Sequence, residues 1–145
     1  MAEFILKALV RARGIGHLYY IESAAVSDEE TGNPIYPPAR RCLHRHGVLF
    51  DENKRARKVT KADYTGFDRL ICMDQGNLSW LRRIIGDDPE NKVHLMMSYA
   101  GKHQDVADPW YTGDFETTYQ DILEACEAML DYTRESPAAM QMAPP

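Results

Sequence analysis

No apolar run in the chain approaches the roughly 20 residues that a membrane-crossing helix needs, and no charged-then-apolar leader precedes a cleavage site. The chain is therefore read as cytoplasmic, with no membrane partner. Cysteine is scarce: Cys42, Cys72 and Cys126 are odd in number, widely separated and without a Cys-x-x-Cys pair. This argues against a disulfide framework and against a structural zinc site, so the three are read as reduced thiols. No glycine-rich phosphate cradle is present, because Gly14 and Gly16 follow a helical stripe instead of a strand. His44 and His46 lie two apart and would face different sides of a helix, while His94 and His103 stand alone. No metal and no cofactor are expected. Internal repeats and linkers are also missing.

What remains is the composition of an ordinary globule. The 145 residues suffice for one domain with a substantial core, expected over 1–135. The stretch 136–145, with three prolines and no periodicity, is expected to be a disordered tail. A net charge of -5, from 22 acids against 17 bases, repels polyanions. The local exception is basic: Arg40, Arg41, His44, Arg45 and His46, then Lys54, Arg55, Arg57, Lys58 and Lys61. Such a run serves either as a solvated face or as an attractor of a phosphorylated partner. It lacks the interleaved aromatics of a single-strand binder, and no nucleic-acid partner is expected.

In chain order, Phe4, Ile5, Ala8, Leu9 and Ala12 form a helical stripe that Gly14-Ile15-Gly16 stops. No Ser, Thr, Asp or Asn precedes this helix to cap it. His17 to Ala25 reads as a strand, and Pro37-Pro38 opens a helix over about 39–46 that Gly47 closes. Thr60-Lys61-Ala62-Asp63 resembles a capping box with Asp for Glu. Arg69 to Met73 and Val93 to Met97 are short apolar strands, and Asp74 can cap the helix between them. A final helix buries Phe115, Tyr119, Ile122, Cys126 and Leu130 on one face. Strands alternating with helices imply an α/β fold with a parallel sheet covered on both faces.

The chemistry concentrates before that last helix, at Ala107-Asp108-Pro109-Trp110-Tyr111. A carboxylate directly before proline sits on restricted, extended backbone, and the two aromatics after it can wall a pocket for a flat ring. This is the shape of a general acid on a loop, although Asp-Pro with aromatics serves equally as an ordinary turn. Cys72, mid-strand, and Cys126, on the inner stripe of the last helix, are expected to be buried and inert. Cys42 lies on a helix beside Arg41, with no sequence neighbour that supplies a base.

Several stretches together resemble the low-molecular-weight protein tyrosine phosphatases, from Met1 to about Tyr132. They are Met1-Ala2-Glu3, Ser23-Ala24-Ala25-Val26-Ser27, Val59-Thr60-Lys61-Ala62-Asp63-Tyr64, Phe67-Asp68 with Cys72-Met73-Asp74, Asn77-Leu78, Asp108-Pro109 with its aromatics, and Asp114-Phe115-Glu116-Thr117 with Tyr119-Gln120. The resemblance implies a three-layer α/β/α fold with a short parallel sheet, and a hydrolase of phosphotyrosine or aryl phosphate. It makes Asp108 the general acid, and it makes Trp110 and Tyr111 the wall against which the substrate ring packs. Members begin with a strand ending in a Cys-x-x-x-x-x-Arg-Ser-Pro phosphate loop, often followed by Met-Ala-Glu. Here the chain begins at that Met-Ala-Glu, so the central first strand, nucleophile and phosphate-binding arginine are absent from the chain as written. Met1 is read as an internal methionine mistaken for, or used as, a start. Lys54 stands where the family's buttressing histidine is expected.

Two functions follow. One is a tyrosine phosphatase by descent, inactive as written, acting on phosphotyrosine proteins or aryl phosphates once the phosphate loop is restored. The other is a catalytically dead binding protein of the same fold. For the missing strand three outcomes are expected: a homodimer or domain swap that fills the slot, direct pairing of the flanking strands, or a loose, aggregation-prone chain.

Overall fold

The computed structural model describes residues 1–135, so the tail expected at 136–145 lies outside the described residues. The chain divides into two compact units: Met1–Lys58 with Ala107–Leu123, and Val59–Val106 with the segment from Glu124 onward.

In the first unit, the predicted stripe forms α1 (Ala2–Ala12), burying Phe4, Ile5 and Val10 together with the carboxylate of Glu3. As expected, no side chain caps its N-terminus. Gly14 ends it with a left-handed φ of 71°, a conformation nearly free of cost only to glycine. That turn lets Gly14 N–H donate to Arg11 and Ile15 N–H donate to the Val10 carbonyl, at 3.0 and 2.9 Å. α2 (Pro37–Arg45) opens with proline in its first turn and buries Ala39, Cys42 and Leu43. Gly47 closes it in the same way, with Val48 N–H donating to Leu43 O at 2.9 Å.

The strand expected over 17–25 does not form. Gly16–Leu18 is a single 3₁₀ turn, the following residues run irregularly, and a lone parallel bridge joins Ala25 to Lys58. β-branched and aromatic residues favour extended backbone, but a strand needs a partner along its whole length.

In the second unit, α3 (Lys61–Gly66) begins with the predicted capping box, in which Thr60 N–H donates to the Asp63 carboxylate at 2.7 Å. β1 (Leu70–Cys72) pairs in parallel with β2 (Val93–Leu95), in the register Leu70↔Val93, Ile71↔His94 and Cys72↔Leu95. α4 (Gln75–Ile85) connects them, capped by Asp74, which accepts from Asn77 N–H at 2.7 Å. This is the α/β arrangement with a small parallel sheet that the sequence implies. Asp88 fixes the approach to β2 by accepting from Tyr64 Oη, Lys92 N–H and Val93 N–H. The second strand is shorter than predicted, since Met96–Ala100 tightens into a 3₁₀ turn with Ser98 Oγ donating to Leu95 O at 2.6 Å.

Two elements remain, α5 (Pro109–Thr112) and α6 (Phe115–Glu135). No helix among the described residues is long and apolar enough to cross a membrane.

Candidate active site

Asp108 is exposed, and its backbone is held in extended geometry, φ -90° and ψ 108°, by the proline that follows. The segment expected as a loop is a one-turn helix instead: Pro109 supplies a pre-set φ at its first position and Asp108 caps it. Oδ1 of Asp108 accepts from the Trp110 N–H at 3.0 Å. Oδ2 has no hydrogen-bond partner among the described residues.

The residue just before the acid is fixed from α6. Ala107 N–H donates to Asp121 Oδ2 at 3.1 Å, and Thr118 Oγ1 donates to Ala107 O at 2.7 Å. Thr118 is buried. Asp114 caps α6, accepting Thr117 N–H at 3.0 Å, and these hydrogen bonds hold its carboxyl below its ordinary pKa. α6 thus anchors the residue before Asp108 through both its N–H and its carbonyl.

The two predicted ring-binding residues lie on α5 and stand out from the surface, Trp110 63% and Tyr111 91% exposed. Trp110 is stacked on Tyr36, with ring centroids 4.5 Å apart and planes 30° from parallel. Tyr36 also packs on Phe115 at 5.9 Å. Sequence reasoning missed Tyr36, whose position just before Pro37-Pro38 carries no signal of a ring partner so far along the chain.

The structure also shows what Lys54 does. Its Nζ lies 2.9 Å from Glu3 Oε1 and donates to the Ser23 carbonyl at 3.4 Å. Ser23 donates to the same Glu3 oxygen twice, from N–H at 2.9 Å and from Oγ at 2.8 Å, while Lys7 holds the other oxygen at 2.7 Å. Burial raises the Glu3 carboxyl's pKa, but its hydrogen bonds from Lys7, Lys54 and Ser23 prevail and bring it down to about 2. A buried carboxylate with this many donors stays ionised, and it ties α1 to the segments around Ser23 and Lys54.

The three thiols are all free and buried, as expected of Cys72 and Cys126. Burial pushes Cys72 up to about 11 and Cys126 up to about 12. Burial also raises Cys42, against a downward pull from Arg45. None of the three is followed six residues on by arginine.

The family description "Low molecular weight phosphotyrosine protein phosphatase" matches residues 1–139. A pig protein of that name is 36% identical over 140 residues, covering 92% of this chain and 87% of the relative. The crystal structure of YfkJ from Bacillus subtilis superposes with a TM-score of 0.86 at 32% identity, covering 92% of this chain and 85% of that one. A Drosophila arginine phosphatase superposes at 0.79 with 31% identity, over 93% of this chain and 89% of that one. With sequence and fold in agreement over nearly its whole length, the chain belongs to the low molecular weight phosphotyrosine protein phosphatase family.

Proposed function

We propose that this chain carries the acid and ring-binding half of a cytoplasmic phosphomonoester hydrolase, and that the 145 residues as written do not turn over substrate. The observation that carries the reading is the grouping at α5 of its cap Asp108, with one open carboxyl oxygen, and of the exposed side chains Trp110, stacked on Tyr36, and Tyr111. Asp108 is the proton donor to the leaving oxygen, and the two rings pack on the organic group of the ester. A phenyl ring suits such a wall through offset stacking, which favours phosphotyrosine and aryl phosphates. A guanidinium plane stacks on the same surface, so the phosphoarginine chemistry named for the Drosophila relative is the competing substrate class.

Covalent attack on phosphorus needs a thiolate, stabilised by surrounding N–H groups and a cation. With a pKa near 11, Cys72 is ionised in only about one molecule in 10⁴ at pH 7. Cys126 is ionised less still, and Cys42 is fully buried. General acid catalysis alone supplies about 10²- to 10⁴-fold, and here it has no attacking group to assist. The rings remain competent for the second reading, a non-hydrolysing binder of aryl groups, because Trp110 and Tyr111 need no nucleophile to stack.

The test is hydrolysis of p-nitrophenyl phosphate and of phosphoarginine by the purified chain. The expected result is no thiol-dependent turnover of either. Turnover of either at about 1 per second or more would overturn the reading. Quenching of Trp110 fluorescence by phenyl phosphate, lost in Trp110→Leu, would support the binding role.

A further inference from the structure

α2 carries Cys42, and its C-cap residue His46 follows four residues on, hence on the same side of the helix. The first turn of α6 presents Glu116 to that face. His46 Nε2 and Glu116 Oε2 are 2.8 Å apart, and Cys42 Sγ donates to the carbonyl of Phe115, the residue next to Glu116, at 3.6 Å. The sulfur, an imidazole nitrogen and a carboxylate oxygen all lie within 4.8 Å of one another. The His46 ring is itself held in place, lying flat on Tyr119 with centroids 3.7 Å apart and planes 9° from parallel. Beside the cluster is an open cavity of about 270 Å³, lined by Pro38, Arg41, Arg45, Asp114 and Phe115, with Glu116 on its wall.

We infer that Cys42, His46 and Glu116 form a zinc-class metal site that fastens α2 to the first turn of α6. Sulfur, nitrogen and carboxylate oxygen together are the donor set of a borderline-soft divalent ion such as Zn²⁺, and they disfavour Mg²⁺ and Ca²⁺, which take oxygen alone. Bond lengths of about 2.0–2.3 Å at tetrahedral angles put neighbouring donors about 3.2–3.6 Å apart. His46 and Glu116 are closer than that at 2.8 Å, and no pair is more than 4.8 Å apart. The adjustment falls on the side chains freest to make it, since Glu116 is 48% and His46 26% exposed while Cys42 is fixed in the interior. Three protein donors leave the fourth position of a tetrahedral ion to a water.

Binding is a proton exchange: the Cys42 thiol gives up its proton as the metal–sulfur bond forms, and neutral His46 takes the metal in place of its contact with Glu116. One proton leaves per ion if His46 starts neutral and two if it starts charged, so affinity rises with pH. Burial of the thiol works against the metal, and so do Arg41 and Arg45 on the cavity wall. Asp114 on the same wall and Glu116 itself offset them in part. The site uses none of Asp108, Trp110 and Tyr111. The sequence pointed to no metal here because it weighed His44 with His46 and not Cys42 with His46. The four-residue spacing was visible; the third donor, from a distant helix, was not.

The test is titration of the full chain with Co²⁺ and with Zn²⁺ alone. The expected results are a thiolate-to-cobalt charge-transfer band with tetrahedral d–d intensity, and a rise in melting temperature with Zn²⁺. Because Cys42→Ser puts a polar hydroxyl in a fully buried position and can unfold the chain, the deciding variants are the partly exposed His46→Gln and Glu116→Gln. Each is expected to weaken binding by about 10- to 100-fold or more, taking the loss of a group that merely hydrogen-bonds a metal ligand as the lower bound, without lowering the metal-free melting temperature by more than a few degrees. A wild-type chain with no thiolate band, or variants that bind Zn²⁺ as tightly as wild type, would overturn the assignment.

Discussion

Glu3→Gln is the most informative single change for the fold. The amide keeps the shape of the side chain and stands in for the protonated carboxyl, so the variant removes the charge and little else. In the native chain the Glu3 pKa is about 2, against an ordinary value of 4.5. A depressed pKa stabilises the fold above the unfolded-state value and loses that contribution as pH falls toward the folded-state value. At about 1.4 kcal/mol per pKa unit, the 2.5-unit gap corresponds to roughly 3 kcal/mol at pH 7. The same arithmetic removes about 1.4 kcal/mol of it by pH 3.5 and nearly all by pH 2. The side chain is only 4% exposed, so solvent screening does not erode the figure. Urea unfolding of both proteins between pH 7 and pH 3.5 reads it directly. The variant is expected to be about 3 kcal/mol less stable at pH 7, with the two curves converging as pH falls. Curves that stay parallel, or a difference at pH 7 below about 0.5 kcal/mol, would refute the role given to the Glu3 network.

Three further outcomes are expected. Asp74→Ala removes the cap of α4 and should cost about 1 kcal/mol by denaturant titration; no change would mean that the helix start is held by its contacts alone. Thr118→Val keeps shape but leaves the Ala107 carbonyl without its 2.7 Å donor, at a cost of about 1–3 kcal/mol, with a rise in proteolysis next to Asp108 as the local readout. His94 is buried against Tyr99, and burial lowers its pKa, so protons favour the unfolded chain and stability falls as pH drops below about 6.5. The slope of stability against pH between 7 and 5 should therefore be shallower in His94→Leu than in wild type, and equal slopes would remove His94 as the cause.

What the sequence made legible was local. The Thr60–Asp63 box, the Asp74 cap and the glycines after α1 and α2 were all readable, because each sets its geometry within a few residues. Asp108-Pro109 was readable as restricted backbone, although the chain coils into α5 where a loop was expected. Failures came where the deciding partner is remote. The run 17–25 has strand propensity but only one bridge to complete it. Tyr36 beneath Trp110, and Lys54 on Glu3, depend on which segments the tertiary fold brings together. Lys54 departs from the residue the resemblance implies, and its pairing shows that an ammonium serves the buried carboxylate at that position.

Buried thiols with raised pKa values have a practical consequence for following this molecule's motions. Alkylating and disulfide-exchange reagents act on the ionised sulfur, so Cys72 and Cys126 are silent toward them while their surroundings stay closed. Each becomes reactive only during an opening that lets water reach it, and with fast reagent the labelling rate is then the opening rate. Cys72 reports on the sheet and Cys126 on α6. Mass spectrometry of the two peptides after timed labelling therefore turns the chain's own sulfur atoms into clocks. A shared rate would mark one cooperative opening, and separate rates would show the helix and the sheet letting go independently.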